Sequence, residues 1–593
     1  MIYSLESDDS SATLIKSLTS GLNGGAPAPI PSPTVEQNLS RTSESSQSTA
    51  TNGEPINMIG GNFLTGRLEF QVPDRDIPTQ FKLSYNSAGA TQPSPVGWGW
   101  THNYRVTVVE DIDGTAVVQH PDGRLDRYGT TTGGYTAPSG IFDTLASSSG
   151  KFTLTKKDGT AYSFNASGLL ATTTSSNGNT HELFYDEDNL LTRIEDSVGR
   201  DFTFDYNTLG QLEVVTDPTG REVNYGYDVL GNLIEVTNPE NEVTQYVYDG
   251  NHRITEIISP RGDTVVDNTY DSEGRVVEQQ NALGDLITLS YVTGTTTYVD
   301  ANNGTTTYGY DSGLRLTTVI DALGGYTVIT YNASGSPHTV TDQLGHTATY
   351  AYDARGNVTE IENAIGGIKS FVYDSSDNLL SFADELGRST TYAYDSNRNV
   401  TQRGDATHAT TTFSYTSYGQ LATTTGPLGN ATEYFYDSFG NRITQSDAES
   451  RDTYFDYDTV GRLVGVENQG NNEIRYTIDD MDRMTQIVDP EGATTTFAYD
   501  LNGNKATSTD ANGHATTYTY DANNQLTKVT NALGTSTTYA YDGNGNLTSK
   551  TDARSKVTQY IYDLLNRQTQ VIDPIGIVTT LAYDAVGNVI ARG

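Results

Sequence analysis

Residues 536–562 read STTYAYDGNGNLTSKTDARSKVTQYIY, and the Tyr-Asp pair in this stretch recurs along most of the chain. Positions with this pair or a close variant run from Tyr185 to Tyr583, and seventeen of the nineteen intervals between them are 21 residues. The other two intervals are 22 and 19 residues. A fixed period of this length is the sequence signature of a repeat protein. The 21-residue unit is therefore the building block of the predicted fold.

Tyrosines at the repeated position are predicted to be structural anchors of the repeats. In residues 539–541 two rings lie two positions apart, which places both on one face of a strand. Rings aligned on neighbouring strands would form an aromatic ladder, in which each cross-strand pair contributes about 0.2–1 kcal/mol. The predicted anchors are Tyr185, Tyr227, Tyr248, Tyr352, Tyr373, Tyr394, Tyr436, Tyr457, Tyr499, Tyr520, Tyr541, Tyr562 and Tyr583.

Two turn signals in each unit predict a β-hairpin. After the anchor comes a segment such as Asp-Ala-Arg-Gly at 353–356, and the second turn has the form Asp-Pro-x-Gly at 217–220, 489–492 and 573–576. Asp favours the first position of a type I turn, Pro the second and Gly the fourth. The repeated aspartates are thus explained by turn formation.

The second strand of the unit leaves one question open. Its apolar residues lie three apart, as in Leu526 and Val529 or Met484 and Ile487. Regular pleating would send such residues to opposite faces of the sheet. Either a bulge after the first turn returns them to one face, or both faces carry apolar groups.

The period predicts an all-β architecture. About forty strands at about 4.8 Å spacing would make a sheet roughly 190 Å wide, and such a sheet should curl. Repeats that contact only their neighbours would wind into a spiral. Closed once, that width corresponds to a diameter of roughly 60 Å, too wide for side chains to fill. The expected fold is a hollow shell.

Composition restricts the function. The formal charge of −39 disfavours nucleic acid as a partner. The chain has no cysteine, which excludes disulfides and Cys-ligated metals. No apolar run is long enough to predict a transmembrane segment, and residues 1–20 lack the features of a signal peptide. If the chain is secreted or displayed at the cell surface, a specialised export system is expected.

The repeat unit resembles those of the Rhs/YD-repeat family, which includes bacterial Rhs polymorphic toxins, wall-associated proteins, insecticidal toxin-complex cocoons and teneurins. The resemblance covers about 164–593. Upstream, NMIGGNF at 57–63, FKLSYNS at 81–87 and GWGWTHNY at 97–104 look like the β-rich domain that precedes such repeats. The resemblance implies a β-cocoon, a hollow spiral of hairpins that encloses a C-terminal toxin or another polypeptide.

Three segments are predicted. Residues 1–55 form a flexible linker rich in Ser, Thr and Pro, residues 56–163 an N-terminal β-rich Rhs-type domain, and residues 164–593 the repeat array. The array stops inside a repeat, without the C-terminal core or effector of complete members. We therefore expect a fragment, a truncated gene product or one piece of a larger assembly.

Motifs for catalysis and metal binding are weak. The histidines at 102, 120, 181, 252, 338, 346, 408 and 514 lack metal-ligand spacing. Residues 500–504 and 542–546 resemble the start of a calcium loop, but they coincide with the repeat turn and lack its later ligands. The sequence thus predicts no enzyme, no cofactor, no metal site and no catalytic residue.

The leading hypothesis is a structural shell that encapsulates a polypeptide cargo, with a C-terminal effector or the remaining part of the shell as partner. A delivery apparatus and surface glycans are further expected partners. The alternative is a cell-surface adhesin or carbohydrate-binding array that uses exposed tyrosines as sugar platforms. An enzyme is the third hypothesis, and a non-repeated Asp or His essential for turnover would favour it.

Overall fold

The computed structural model describes residues 56–593. The predicted linker at 1–55 lies outside these residues. Almost everything described is strand and tight turn, as expected for short β-favouring segments separated by Gly, Asn and Asp. One 3₁₀ turn at Ser87–Gly89 is the only helical element in the described part of the chain. No helix within 56–593 is long and apolar enough to cross a membrane.

Seven strands precede the continuous sheet. They are β1 (Leu64–Val72), β2 (Thr79–Asn86), β3 (Trp100–His102), β4 (Thr107–Glu110), β5 (Ala116–Gln119), β6 (Leu125–Thr131) and β7 (Gly134–Thr136). The first three form one antiparallel sheet and the next four another. Large side chains such as Trp100, Tyr85 and Phe81 are fully buried here, which confirms a β-rich N-terminal region.

The remaining strands follow the period of the sequence. They are β8 (Thr144–Ser148), β9 (Lys151–Thr155), β10 (Ala161–Phe164), β11 (Leu170–Thr174), β12 (Thr180–Tyr185), β13 (Leu191–Glu195), β14 (Asp201–Tyr206), β15 (Leu212–Thr216), β16 (Glu222–Tyr227), β17 (Leu233–Thr237), β18 (Val243–Tyr248), β19 (Ile254–Ile258), β20 (Thr264–Tyr270), β21 (Val276–Gln280), β22 (Leu286–Val292), β23 (Thr295–Val299), β24 (Thr305–Tyr310), β25 (Leu316–Ile320), β26 (Tyr326–Tyr331), β27 (Pro337–Thr341), β28 (Thr347–Tyr352), β29 (Val358–Glu362), β30 (Ile368–Tyr373), β31 (Leu379–Ala383), β32 (Ser389–Tyr394), β33 (Val400–Gly404), β34 (Thr410–Tyr415), β35 (Leu421–Thr425), β36 (Ala431–Tyr436), β37 (Arg442–Ser446), β38 (Asp452–Tyr457), β39 (Leu463–Asn468), β40 (Glu473–Ile478), β41 (Met484–Val488), β42 (Thr494–Tyr499), β43 (Lys505–Thr509), β44 (Ala515–Tyr520), β45 (Leu526–Thr530), β46 (Ser536–Tyr541), β47 (Leu547–Thr551), β48 (Val557–Tyr562), β49 (Gln568–Ile572), β50 (Val578–Tyr583) and β51 (Val589–Arg592).

From β8 to β51, strands that are consecutive in the chain are hydrogen-bonded to each other, giving one antiparallel sheet of 44 strands. The predicted all-β spiral of hairpin repeats is confirmed. The boundary predicted at residue 163 stays a prediction, and β8 and β9, which precede it, already pair within this sheet.

Two kinds of turn alternate along the sheet. A Tyr-Asp turn follows each anchor, as in 542–546, and a return turn joins one repeat to the next, as in 552–556. In the first, the Gly545 amide donates to the Asp542 carbonyl at 3.0 Å, and Asp542 Oδ1 accepts the amides of Asn544 and Asn546. Gly545 has φ +79°, so the loop is a type I turn followed by a left-handed residue. The predicted turn chemistry is confirmed.

A bulge precedes the Tyr-Asp turn and explains why apolar residues three positions apart in the second strand lie on the same face. In β46 the register shifts between Ala540 and Tyr541, so that Tyr541 pairs with Leu547 and Tyr539 with Lys550. The same shift places Leu526 opposite Tyr520 and Val529 opposite Tyr518. Residues three apart therefore share the face that carries the rings, as the bulge hypothesis requires. We call this the ring face.

The sheet winds back on itself, as contacts between turns that are far apart in sequence show. Hydrogen bonds join residues separated by 222 to 261 positions. One winding thus contains about eleven and a half repeats, or about 23 strands, which corresponds to a perimeter of about 110 Å and a diameter of about 35 Å. We call residues 144–394 the first winding and 395–593 the second. The spiral is narrower than the single closed ring considered from the sequence, because the array is wound about twice.

Return turns of the first winding meet Tyr-Asp turns of the second along a line that we call the seam. Arg221 shows its chemistry: it pairs with Asp217 in its own turn and with Asp482 across the seam, both at 2.7 Å. Other seam contacts are Arg200 to the Val460 carbonyl, Arg483 to Glu242, and Arg261 to Asp500. Repeats therefore contact more than their sequence neighbours, and the sequence expectation on this point was wrong.

Candidate functional site

The ring face of the first winding is covered by the N-terminal sheet. The ring of Phe81 lies 5.0 Å from that of Phe204, centroid to centroid, in an edge-on arrangement. The ring of Trp100 lies 5.2 Å from that of Tyr246, and its Nε1 donates to the Tyr248 hydroxyl at 2.8 Å. These side chains belong to one buried apolar cluster that joins the two parts.

The extent of these contacts shows that the ring face is concave. Residues of the N-terminal region contact the array from His181 to Thr296, which spans β12 to β23. The sheet winds back on itself after about 23 strands, so one of its faces is concave and the other convex. The N-terminal side chains and the rings that they contact form one buried cluster, and one compact cluster can contact half a winding only from its concave side. The ring face therefore lines the interior of the spiral.

In the second winding, none of the described residues covers the same face in this way. Its inward rings are half-buried and lie on consecutive repeats: Phe413, Tyr434, Phe455, Tyr476, Phe497, Tyr518, Tyr539 and Tyr560. Neighbouring side chains on the outward face, such as Thr538 and Ala540, are exposed. The second winding thus presents a concave aromatic surface to the interior, and this surface is the candidate functional site.

The predicted anchors lie on the ring face of both windings, and most of them donate a hydrogen bond to the preceding repeat. The Tyr541 hydroxyl donates to the Leu526 carbonyl at 2.8 Å, fifteen residues earlier and beside the bulge of the preceding repeat. Burial raises the pKa of the Tyr541 hydroxyl, so the phenol remains protonated and able to donate. Eleven predicted anchors make this bond: Tyr185, Tyr227, Tyr248, Tyr394, Tyr436, Tyr457, Tyr499, Tyr520, Tyr541, Tyr562 and Tyr583.

One buried cluster of catalytic residue types was not predicted. Asp74 accepts hydrogen bonds from Ser197 at 2.5 Å, and its other oxygen lies 3.0 Å from His181 Nε2. Burial by itself would raise the pKa of Asp74, but the hydrogen bonds from His181 and Ser197 outweigh it and lower that pKa. In a nucleophilic triad the histidine lies between serine and carboxylate. Here the carboxylate lies between them, so the cluster is a structural clasp.

The segment that carries this clasp also crosses the seam. Arg75 donates to the carbonyl of Ser197 in the first winding and to that of Ser438 in the second. Its guanidinium carbon lies 3.7 Å from the centre of the Tyr418 ring. This segment was not predictable from the sequence, because Pro-Asp-Arg-Asp at 73–76 occurs outside the repeats and has no periodic partner.

The other histidines are dispersed. His102 is buried beside Phe81, and burial lowers its pKa to about 3. His120 contacts Asp126, and His252 stacks on Trp98 with 4.4 Å between ring centres. Among residues 56–593, no three His, Asp or Glu side chains converge as a metal site. The loop at 500–504 forms the ordinary Tyr-Asp turn, with the Asp500 carboxylate accepting backbone amides.

Comparisons with known families agree with this architecture. A family described as RHS Repeat matches 185–222, 227–264, 479–515, 499–536, 520–557 and 541–574. A family described as Teneurin YD-shell matches 295–455. A domain of unknown function, DUF6531, matches 53–128. No curated protein sequence matches the chain.

Solved structures with a similar arrangement include two toxin assemblies. One is TcdB2-TccC3 without its hypervariable C-terminal region, with 12% identity, a TM-score of 0.43, and coverage of 90% of this chain and 35% of that one. The other is the Photorhabdus luminescens Tc holotoxin pore, with 12% identity, a TM-score of 0.44 and the same coverage. The chain therefore spans about a third of the length of these proteins. Because the repeat and shell families together match more than half of its residues, the chain belongs to the Rhs/YD-repeat family.

Proposed function

We propose that this chain is a structural shell that encapsulates a polypeptide cargo. The observation that carries the proposal is the contrast between its two windings. The concave ring face is filled by the N-terminal sheet in the first winding, whereas no residue within 56–593 covers it in the second. An uncovered concave surface of half-buried rings is suited to an apolar or partly unfolded chain, because it removes apolar side chains from water without fixing their sequence.

The proposed partners would occupy two places, the interior of the spiral and the end of the second winding. A toxin or effector would occupy the interior, and the remaining part of the shell would continue the spiral beyond the second winding. Residues 1–55 would tether the shell to a delivery apparatus, and residues 56–163 would act as an internal plug. The proposed location is outside the producing cell or at its surface, reached by a specialised export system. The adhesin or carbohydrate-binding alternative stays a prediction. Most repeated rings point inward, so few of them would be available as sugar platforms on the outside.

Cysteine accessibility tests enclosure directly, because the chain has no native cysteine. Thr537 lies on the ring face and its neighbour Thr538 on the outward face of β46. We expect a small maleimide to label both Thr537→Cys and Thr538→Cys, and a maleimide attached to a large globular protein to label only Thr538→Cys. Equal labelling of both variants by the bulky reagent would show that the ring face is not enclosed.

A further inference from the structure

Strand register identifies which side chains point into the spiral. In the repeat around Tyr541 they are Thr537, Tyr539, Tyr541, Leu547 and Lys550, since Tyr541 pairs with Leu547 and Tyr539 with Lys550. The corresponding positions can be read in each repeat from β12 to β51 from the pairing of its two strands. These positions define the inward face residue by residue.

The inward face carries no carboxylate. From 181 to 592, all of it within the described residues, no inward position is occupied by Asp or Glu, although the chain has 74 of them against 35 Lys and Arg. Acidic residues on strands of the second winding, such as Glu433, Asp456 and Glu473, lie on the outward face. Within residues 181–592 the acidic side chains therefore lie on the outward face, at the edges of the sheet and in the turns.

Cations, in contrast, do occupy inward positions of the second winding. They are Arg403, Arg442, Lys505, Lys550 and Arg592, opposite Tyr392, Tyr436, Tyr499, Tyr539 and Leu581 respectively. Among residues 56–593 none of the five forms an ion pair, whereas arginines in the turns commonly pair with the turn aspartate. Several lie over rings instead: the Arg442 guanidinium carbon is 4.6 Å from the centre of Phe455, and Lys505 Nζ is 4.8 Å from that of Tyr518.

We infer that the interior of the second winding binds polypeptide segments with an excess of Asp and Glu. Unpaired cations on an aromatic surface attract carboxylates, and nothing acidic on that surface opposes them. The negative outer surface repels an acidic segment in the interior only weakly, because salt screens the interaction between exposed charges beyond about 8–10 Å. The inference rests on the proposed shell function and adds the charge of the segment that the shell takes up.

The test uses three flexible peptides of equal length, in which the same positions are all Glu, all Gln or all Lys. Each peptide is added to the full chain carrying Thr537→Cys, and protection of the thiol from a small maleimide is measured. We expect the Glu peptide to protect at the lowest concentration and the Lys peptide at the highest. Neutralising three inward cations should weaken binding of the Glu peptide about tenfold, through Arg403→Gln, Lys505→Gln and Lys550→Gln.

A matched triple variant removes the same charge from outside. It combines Arg475→Gln, Lys528→Gln and Lys556→Gln, all exposed on the outward face or a return turn of the second winding, and should leave binding unchanged. Equal protection by all three peptides, or equal loss in both triple variants, would overturn the charge inference and leave the shell standing. Absence of protection by any peptide also overturns it, and labelling of Thr537→Cys by the bulky maleimide would then refute enclosure itself.

Discussion

At the scale of the residue, the anchor tyrosine combines two roles in one side chain. Its ring lies on the inward face, and its hydroxyl donates to a carbonyl beside the bulge of the preceding repeat. The bulge brings Leu526 and Val529 to the same face but interrupts the regular ladder of hydrogen bonds. The phenol of the next repeat supplies a hydrogen bond at this interruption, so each anchor tyrosine that makes this bond ties one hairpin to another.

Replacing Tyr541 with Phe tests this role. The ring remains while the hydrogen bond to the Leu526 carbonyl is lost, and we expect a local destabilisation of about 0.5–1.5 kcal/mol. Hydrogen exchange of amides in β45 and β46 measures it. Tyr539→Phe, which alters the other inward ring of the same strand, is the control and should have a smaller effect. Equal effects of the two variants would contradict the anchor role.

The turn aspartates predict a response to acid. Burial alone would raise the pKa of Asp374, but hydrogen bonds from the Asn378 side chain and from backbone amides lower that pKa. A carboxylate with a lowered pKa in the folded state stabilises the fold above its ordinary pKa of about 4, and this stability is lost as pH falls below it. The amides of the turn at 374–378 should therefore have lower protection factors, each corrected for the intrinsic exchange rate at that pH, at about pH 3 than at neutral pH.

The neighbouring return turn at 363–367 is the control for acid. Asn363 Oδ1 accepts the amides of Ile365 and Gly367 in the same geometry, and its side chain does not titrate. The protection factors of the amides in this turn should stay nearly constant over the same range. A similar loss of protection in both turns would mean that acid loosens the sheet by another route.

At the scale of the element, each turn depends on its fourth residue. Gly492 has φ +82° and open space where a Cβ would lie, so Gly492→Ala changes only backbone conformation. We expect a cost of about 1–2 kcal/mol for the hairpin. Gly250 also has open space around it but does not have positive φ, and Gly250→Ala should stabilise its turn by about 0.4–1 kcal/mol.

The change in local stability is measured for both glycine variants from the denaturant midpoint of each hairpin, followed by hydrogen exchange. The expected effects have opposite signs, although the chemical change is the same. Destabilisation by Gly250→Ala, or no cost for Gly492→Ala, would contradict the assignment of the left-handed residue to the fourth turn position.

Most features at this scale were predictable from local sequence. The hairpins, their turns and the position of the paired rings on one face follow from the period of 21 residues and from residues such as Asp542 and Gly545, but which face lines the interior does not. The bulge was one of two open interpretations, since three-residue spacing is compatible with both. The N-terminal plug could be predicted as a β-rich region, but its position inside the first winding depends on contacts such as Phe81 with Phe204, which have no local signature.

At the scale of the whole molecule, the seam holds the windings together. It was not predictable, because the turns that meet are more than two hundred residues apart and have the same sequence pattern as turns that meet nothing. Arg221 and Arg451 occupy the same position in their return turns, and each pairs with the aspartate four residues earlier. Only Arg221 also reaches across the seam, to Asp482.

Removing Arg221 tests the seam. Arg221→Ala would leave the fully buried carboxylate of Asp217 without its cation, and we expect a cost of about 3–5 kcal/mol. Faster proteolysis or hydrogen exchange at 217–221 and 479–483 would report separation of the windings. Arg451→Ala, on an exposed return turn of the second winding, should have little effect. Equal resistance to protease in both variants would show that the seam contributes little.

The seam also limits how this array can evolve. In a repeat protein whose units touch only their neighbours, a unit can be gained or lost without disturbing distant ones. Here, deletion of one 21-residue unit between Arg221 and Asp482 would leave every hairpin intact but shift all later Tyr-Asp turns by one place, so that Arg221 would no longer face its acid. Recombination between repeats is thus constrained inside a winding. The number of repeats per winding should therefore change less readily than the sequence of any one repeat.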